Sequence, residues 1–472
     1  MPPRRRRGTD VGPSRLLLTD RGFNRSRDRS KERRIGLWLF IVTGLIFLLS
    51  PVFALSDSNY SMLLSESIIR NHSSYLNAYR FPVPIREDVR CMPPLSTMSL
   101  ASQTFQLARV NGNVEYCYPH GTSILSIPFV GLMMTLGVSS STPDGQYNWG
   151  GEAITQRLLA SLLMAGYTLV LFRTALILLE VIPSLLIAGG TAFGTQIWST
   201  ASRVMWSHTW LIFLCGFVAY WLLLRETGQP KPGSIILATL LSWMYFTRPT
   251  AAIPILCVTV YMLAYYRREF LAYFLTGLAW FGGFLVYSWF SFGKFIPDYY
   301  LHSQFDLRTL PTGLPAILIS PSRGLFIYVP VLIFVFYLLI RYWKTLPFPK
   351  LAILALAMVV VQILTIALWP IWWGGYSYGP RLLSDVIPWW ALLAILGCAA
   401  RLRENQTAKF SRSEVIATFV LLALSIAINA RGAISWPTAH WHIVVDINSH
   451  PDRAWDWSYP QFMAGLIAPP KY

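Results

Sequence analysis

Asp57 stands just beyond the first long apolar run of the chain, in Leu55-Ser56-Asp57-Ser58-Asn59-Tyr60. The run before it, Ile35 to Leu55, carries no charge and is long enough to cross a bilayer. A carboxylate at such a boundary has two uses. It accepts a proton during a reaction, or it caps the next helix, for which Asp before Ser-Asn-Tyr is suited. Four arginines stand at comparable boundaries: Arg203, Arg248, Arg323 and Arg381. A guanidinium there offers paired donors to an anion, or it snorkels to the headgroups. Arg381 has the most specific setting, because Gly374-Gly375 and Gly379-Pro380 allow close backbone approach. Trp372, Trp373, Tyr376 and Tyr378 add stacking faces, and Asp385 lies one turn on. Such aromatics are also the ordinary interfacial belt of a membrane protein.

These residues matter only if the surrounding elements bring them to one place, and composition says what those elements are. A chain of 472 residues with 54% hydrophobic and 15% aromatic side chains is a polytopic membrane protein. The net charge of +17 does not point to nucleic acid. Residues 1–34 hold twelve Arg/Lys against four Asp/Glu, and most of the remaining excess lies in short loops. The positive-inside rule and anionic headgroups account for both. The tail 1–34 lacks apolar periodicity and is expected to be disordered and cytoplasmic. The run after it is too long for a signal-peptide core, has no persuasive cleavage site, and reads as a retained anchor. The chain emerging from that anchor is then outside.

Basic loops mark the inside thereafter: Arg173, Arg225 to Lys231, Arg267-Arg268, Arg341 to Lys350 and Arg401 to Arg412. Between them fall outward segments at Ser199 to His208, Thr247 to Thr250, Phe292 to Arg323 and Trp372 to Asp385. One stretch breaks the alternation. Thr122 to Val138 is apolar, but a crossing there would invert every later loop. It is short, contains Pro128 and comes after Pro119-His120-Gly121, so it is expected to lie flat in the outer interface. The expected fold class is an all-α polytopic membrane protein with eleven transmembrane helices across 35–429. It carries a first outer loop at 56–151, a second at 292–323, and an outer C-terminal segment at 430–472.

In the first loop, Tyr60, Met62-Leu63-Leu64 and Ile68-Ile69 recur at helical spacing, which predicts an amphipathic helix on the membrane. Glu66 and Arg70 form an i,i+4 pair on it. Cys91 and Cys117 share this loop, so either a disulfide or two free thiols is expected there. The second loop gathers Lys294, Asp298, Tyr299-Tyr300, His302, Gln304 and Asp306. Trp436, Trp441, Trp455 and Trp457 suggest a C-terminal segment that docks on the membrane or covers a site. No His-Glu-x-x-His, Cys-x-x-Cys, EF-hand, P-loop or dinucleotide pattern occurs.

Asp57 after the first helix, together with Cys117-Tyr118-Pro119-His120-Gly121-Thr122, resembles the GT-C glycosyltransferases. These membrane enzymes include protein O-mannosyltransferases and lipid A aminoarabinose transferases, and in them the second element lies flat on the outer face. Trp198-Ser199-Thr200-Ala201-Ser202-Arg203 with Trp206-Ser207-His208 resembles the place where relatives carry an outer arginine and often an acidic residue. His208 stands there instead, a departure that weakens any metal or acceptor role carried over to it. Phe246-Thr247-Arg248-Pro249, Ser320-Pro321-Ser322-Arg323-Gly324 and Trp372-Trp373-Gly374-Gly375-Tyr376-Ser377-Tyr378-Gly379-Pro380-Arg381 are similar to segments of bacterial members, in the same order.

The resemblance implies transfer of a sugar from a polyprenyl-phosphate-linked donor to an extracytoplasmic acceptor, with inversion. The acceptor class, protein, lipid or glycan, stays open. Asp57 would then be the general base, and Arg381, Arg323, Arg248 and Arg203 would bind the lipid phosphate. His208, Glu66, Tyr118, His120, Trp373, Tyr376, Asp385 and His302 are the further substrate-binding candidates. Some members use a divalent cation, and Asp57 with a second outer carboxylate is where one would sit. The implied partners are the donor, the acceptor and membrane lipids, with no nucleic acid. The implied location is the bacterial inner (plasma) membrane, N-terminus cytoplasmic and C-terminus extracytoplasmic. The competing reading is a transporter or lipid flippase. That class places ionisable groups at mid-bilayer and repeats its architecture, and neither is visible here.

Overall fold

The computed structural model describes residues 28–53, 55–87, 91, 104–301, 305–404 and 410–469. The first helix, α1 (Arg29–Leu49), opens on Asp28, whose carboxylate accepts from the backbone N–H groups of Ser30 and Lys31. It closes at Ser50-Pro51, because proline breaks a continuing helix. The first span is therefore displaced from the expected Ile35 to Leu55. Residues 29–34 are helical rather than a disordered tail, since Lys and Arg are good helix formers once a cap is present.

After α2 (Ser61–Asn71) the first loop forms a small sheet of β1 (Ile85–Glu87), β2 (Thr104–Val110) and β3 (Asn113–Tyr116). β1 runs parallel to β2, and β2 is antiparallel to β3. The all-helical expectation misses this sheet. Its signal is the pair Asn111-Gly112, both at positive φ (50° and 82°), between the apolar positions of β2 and β3.

The remaining helices are α3 (Gly121–Thr135), α4 (Trp149–Leu176), α5 (Val181–Phe193), α6 (Ser207–Glu226), α7 (Ser234–Thr247), α8 (Ala252–Tyr265) and α9 (Arg267–Phe292). Next come α10 (Asp298–Leu301), α11 (Leu310–Ile319), α12 (Leu325–Tyr328), α13 (Val331–Arg341) and α14 (Pro349–Ala367). The chain finishes with α15 (Ile387–Glu404), α16 (Arg412–Ile434) and α17 (Trp436–Val444). Among the described residues six segments are long and apolar enough to cross a membrane: α4, α6, α9, α14, the stretch Arg381–Arg403 that takes in all but the last residue of α15, and α16. The chain is thus an integral membrane protein. The other five expected runs also fold as helices, α1, α5, α7, α8 and α13. The last four have only 11–14 residues, about 16–21 Å of rise.

The alternation of loops in the sequence becomes two ends of one bundle. At one end Arg225 and Lys231 pair with Glu269 at 2.6 and 3.3 Å, and Arg401 reaches Glu414 at 3.4 Å. At the other end meet the C-termini of α1 and α7 and the N-termini of α4, α6 and α15. α3 does not run between them. Gly121, at its start, sits so close to α7 that a Cβ there would collide with the Phe246 carbonyl. After α3, the Ser139 carbonyl accepts from the Asn148 amide at 2.9 Å, beside the first turn of α4. Both ends of α3 therefore touch the same end of the bundle, as a helix lying across it must.

Candidate active site

Asp57 is placed by the way α1 stops. The last carbonyls of that helix need donors, and two arginines supply them. Arg157 donates to Leu48 at 2.9 Å and to Ser50 at 2.8 Å. Arg203 donates to Ser50 at 3.0 Å and also to Phe47. The turn after it is pinned by the Tyr116 hydroxyl, which donates to the Asp57 carbonyl at 2.7 Å. The start of α2 is held without Asp57: Tyr60 occupies its N-cap, and the N–H groups of Met62 and Leu63 each donate at 2.9 Å to the buried Glu152 carboxylate. Asp57 is therefore not the cap of α2, and its side chain, 32% exposed, is left to other partners.

The charged one among those partners, Arg381, comes from the far end of the sequence. Asp57 Oδ2 accepts from Arg381 Nη1 at 3.0 Å, and Oδ1 lies 3.4 Å from the Tyr118 hydroxyl and 3.3 Å from that of Ser56. Arg381 Nη2 donates to the Gly374 carbonyl at 2.9 Å, its guanidinium lies 4.1 Å from the Trp206 ring centre, and its buried Nε has no partner. Gly374 and Gly379, at φ +73° and +57°, let the loop fold back over the cation, and a Cβ on Gly379 would strike the Tyr328 ring at 2.6 Å.

One turn beyond Arg381, Asp385 is buried and fully occupied. His208 Nδ1 lies 2.6 Å from one oxygen, while Arg248 Nε at 2.9 Å and the Thr250 hydroxyl at 2.7 Å donate to the other. Arg248 Nη1 donates to Ser207 at 2.8 Å. Tyr299 joins the two clusters. Its ring lies 5.3 Å from that of Tyr118. Burial holds its phenol above the usual pKa, and Arg248, Asp57, Arg381 and Asp385 are all close enough to act on it.

Of the sequence candidates, then, Asp57, Arg381, Tyr118, Arg248, His208 and Asp385 come together, with Trp206 and Tyr299 as residues that spacing alone did not single out for the site. The others sit elsewhere. Arg203 completes the end of α1. Arg323 is buried with its guanidinium taken by the carbonyls of Trp373 at 2.7 Å and Gly375 at 3.3 Å and by Gln461 at 2.5 Å. Glu66 is buried against Arg70 (3.2 Å), the Ser139 hydroxyl (2.8 Å) and the Ser140 N–H (2.9 Å). Trp373 donates to Asn448 at 2.9 Å and Tyr376 to Asp446 at 2.8 Å, so both fasten the C-terminal segment. His120 bridges Tyr287 (2.7 Å) and the Tyr116 carbonyl (3.0 Å), and burial lowers its pKa to about 4, leaving it neutral. His302 lies outside the described residues. Apart from the Glu66–Arg70 pair, these partners come from other segments of the chain, which spacing along the chain does not reveal.

Cys91 and Cys117 are joined as a disulfide, Cα–Cα 5.2 Å, immediately before Tyr118. Among the described residues no three His, Cys, Asp or Glu side chains gather to hold a metal. Among the described residues Asp57 faces Arg381, and both oxygens of Asp385 are taken by His208, Arg248 and Thr250. Beside Tyr118 a cavity of about 520 Å³ runs between α3, α7 and α9, walled by His120, Ile124, Trp243, Phe246 and Phe284.

No protein-family model matches the chain, and no curated protein does. Among solved structures the chain is similar to the crystal structure of ArnT from Cupriavidus metallidurans bound to undecaprenyl phosphate. The sequence identity is 13% and the TM-score 0.47; the match covers 89% of this chain and 66% of that one, so this chain spans about two thirds of that protein's length.

Proposed function

We propose that this protein is a membrane glycosyltransferase that moves a sugar from a polyprenyl-phosphate donor to an acceptor on the extracytoplasmic side, with Asp57 as general base. The observation that carries the reading is the meeting of Asp57 with Arg381, beside buried Arg248 and next to Tyr118, which also lines an apolar, aromatic cavity. A lipid-linked sugar phosphate asks for that combination: a proton acceptor, cations for the phosphate and an apolar channel for the prenyl chain.

In the reaction, the acceptor hydroxyl attacks the anomeric carbon and its proton passes to the Asp57 carboxylate. The bond from the anomeric carbon to the phosphate oxygen breaks, and its electron pair leaves with the lipid phosphate. Arg381 turns from Asp57 to that phosphate as charge builds, which frees the carboxylate at the moment it must accept a proton. Asp385 has both oxygens occupied, so it orients Arg248 and does not attack. The outcome is a single displacement with inversion. Trp206 and Tyr118 form walls against which a sugar ring packs.

The test is to reconstitute the protein with a panel of polyprenyl-phosphate sugars and measure sugar release and transfer. Asp57→Asn should fold and insert but turn over about 10²–10⁴-fold more slowly. Arg381→Ala should weaken donor binding. Full turnover in Asp57→Asn would remove the base, and unchanged donor affinity in Arg381→Ala would remove the phosphate ligand.

A further inference from the structure

On another side of the bundle a second cavity, about 250 Å³, lies between α5, α13, α15 and α16. It is larger than the ~150 Å³ that holds a benzene ring in an apolar core. It runs from Pro183 in α5 to Gln196 just past that helix, and along α15 from Ile387 to Cys398, about 16 Å at helical rise along α15. That is close to half of the ~30 Å hydrocarbon core, the depth of one leaflet's tails. Its walls are mostly Leu, Ile, Val and Phe side chains, and none of the described residues lining it is charged.

Besides three threonines, two residues in that wall carry polar atoms without a partner. Gln196 is wholly buried, yet neither its amide nitrogen nor its amide oxygen has a partner. Trp390 Nε1 is likewise buried and unpartnered. Both lie at the end of the cavity that faces the Asp57 cluster, Gln196 just past α5 and Trp390 in the first turn of α15. A buried amide without hydrogen bonds is costly, and three unmet donors and acceptors along one apolar slot call for a ligand that meets them.

We infer that this cavity is a lipid site for an uncharged acylglycerol. Its acyl tail lies along α15, and its hydroxyl and ester groups bond Gln196 and Trp390. A phosphate head would need a cation, and among the described residues lining the cavity there is none, which separates this ligand from an anionic prenyl donor. The inference does not depend on the transfer reaction.

The experiment uses the full chain in phosphatidylcholine vesicles with a diacylglycerol bearing a photoreactive tail, and maps adducts by mass spectrometry. Adducts should concentrate on residues 183–196 and 387–398, well above those on the lipid-facing helix α9, and unlabelled diacylglycerol should compete while polyprenyl phosphate does not. Gln196→Leu, which keeps the volume, should cut this labelling about tenfold, as expected for a lost hydrogen bond. Ala394→Trp should block it by filling the slot. Labelling spread evenly onto α9, competition by polyprenyl phosphate, or undiminished labelling in Gln196→Leu would each overturn the assignment.

Discussion

At the scale of single residues, the centre of the molecule is a set of charges whose partners are far away in sequence. Asp57 and Arg381 are 324 positions apart. Their types and boundary positions were legible, because a carboxylate or arginine at the edge of an apolar run is unusual. That they face each other was not. Asp385 looked like a substrate ligand by its nearness to Arg381, but it is the anchor of Arg248 and His208. Asp385→Asn leaves a buried guanidinium without its counter-charge. The variant should lose about 3–5 kcal/mol of stability, read as a fall in melting temperature, together with donor affinity. Glu115 gives a pH handle. Burial raises its pKa from 4.5 to about 7, against the lowering by Lys294 and with a smaller rise from Asp298. A carboxyl whose pKa is higher folded than unfolded binds its proton more tightly in the native state. Its contribution is therefore complete below about pH 4.5 and is lost as pH rises towards 7. Glu115→Gln should flatten the stability profile across that window, and an unchanged profile would assign the dependence to another group.

At the scale of elements, the helices were legible because apolar runs have few alternatives in a bilayer. Their ends were less so. Ser50-Pro51 could be read as a stop, but the chain beyond it stayed apolar, and only the structure shows α1 ending there. Arg203 explains why the error mattered: an arginine at an outer boundary resembled a phosphate ligand, whereas here it donates to the last carbonyls of α1. Arg203→Ala should therefore cost about 1–3 kcal/mol of stability while leaving the donor affinity of the folded fraction unchanged. A selective loss of affinity with normal melting would return Arg203 to the site. The three-stranded sheet was missed for a different reason. Its strands are short, and Asn111-Gly112 is a local signal inside a loop read for helical periodicity.

At the scale of the whole molecule, the C-terminal segment closes the structure beneath the Arg381 loop. Gln461 is its keystone: it accepts from Arg323 at 2.5 Å and from the Gly379 N–H at 3.1 Å, and donates to the Ser377 and Thr438 carbonyls at 3.0 and 3.1 Å. The tryptophans in this segment suggested docking or covering; Trp441 is fully buried and donates to the Tyr459 carbonyl. Gln461→Leu should cost about 2–4 kcal/mol by orphaning these groups and should loosen the loop that orients Arg381, raising the donor Kd. Normal donor binding in a destabilised variant would show that the loop holds its shape alone. By itself the sequence determined the membrane class, the helical runs and the two faces, because bilayer insertion depends on apolar length and loop charge, both local. Only the tertiary structure decided which arginine serves a helix end, which holds the C-terminal segment and which faces Asp57. Those choices depend on unmet carbonyls and counter-charges that other segments bring within about 3 Å.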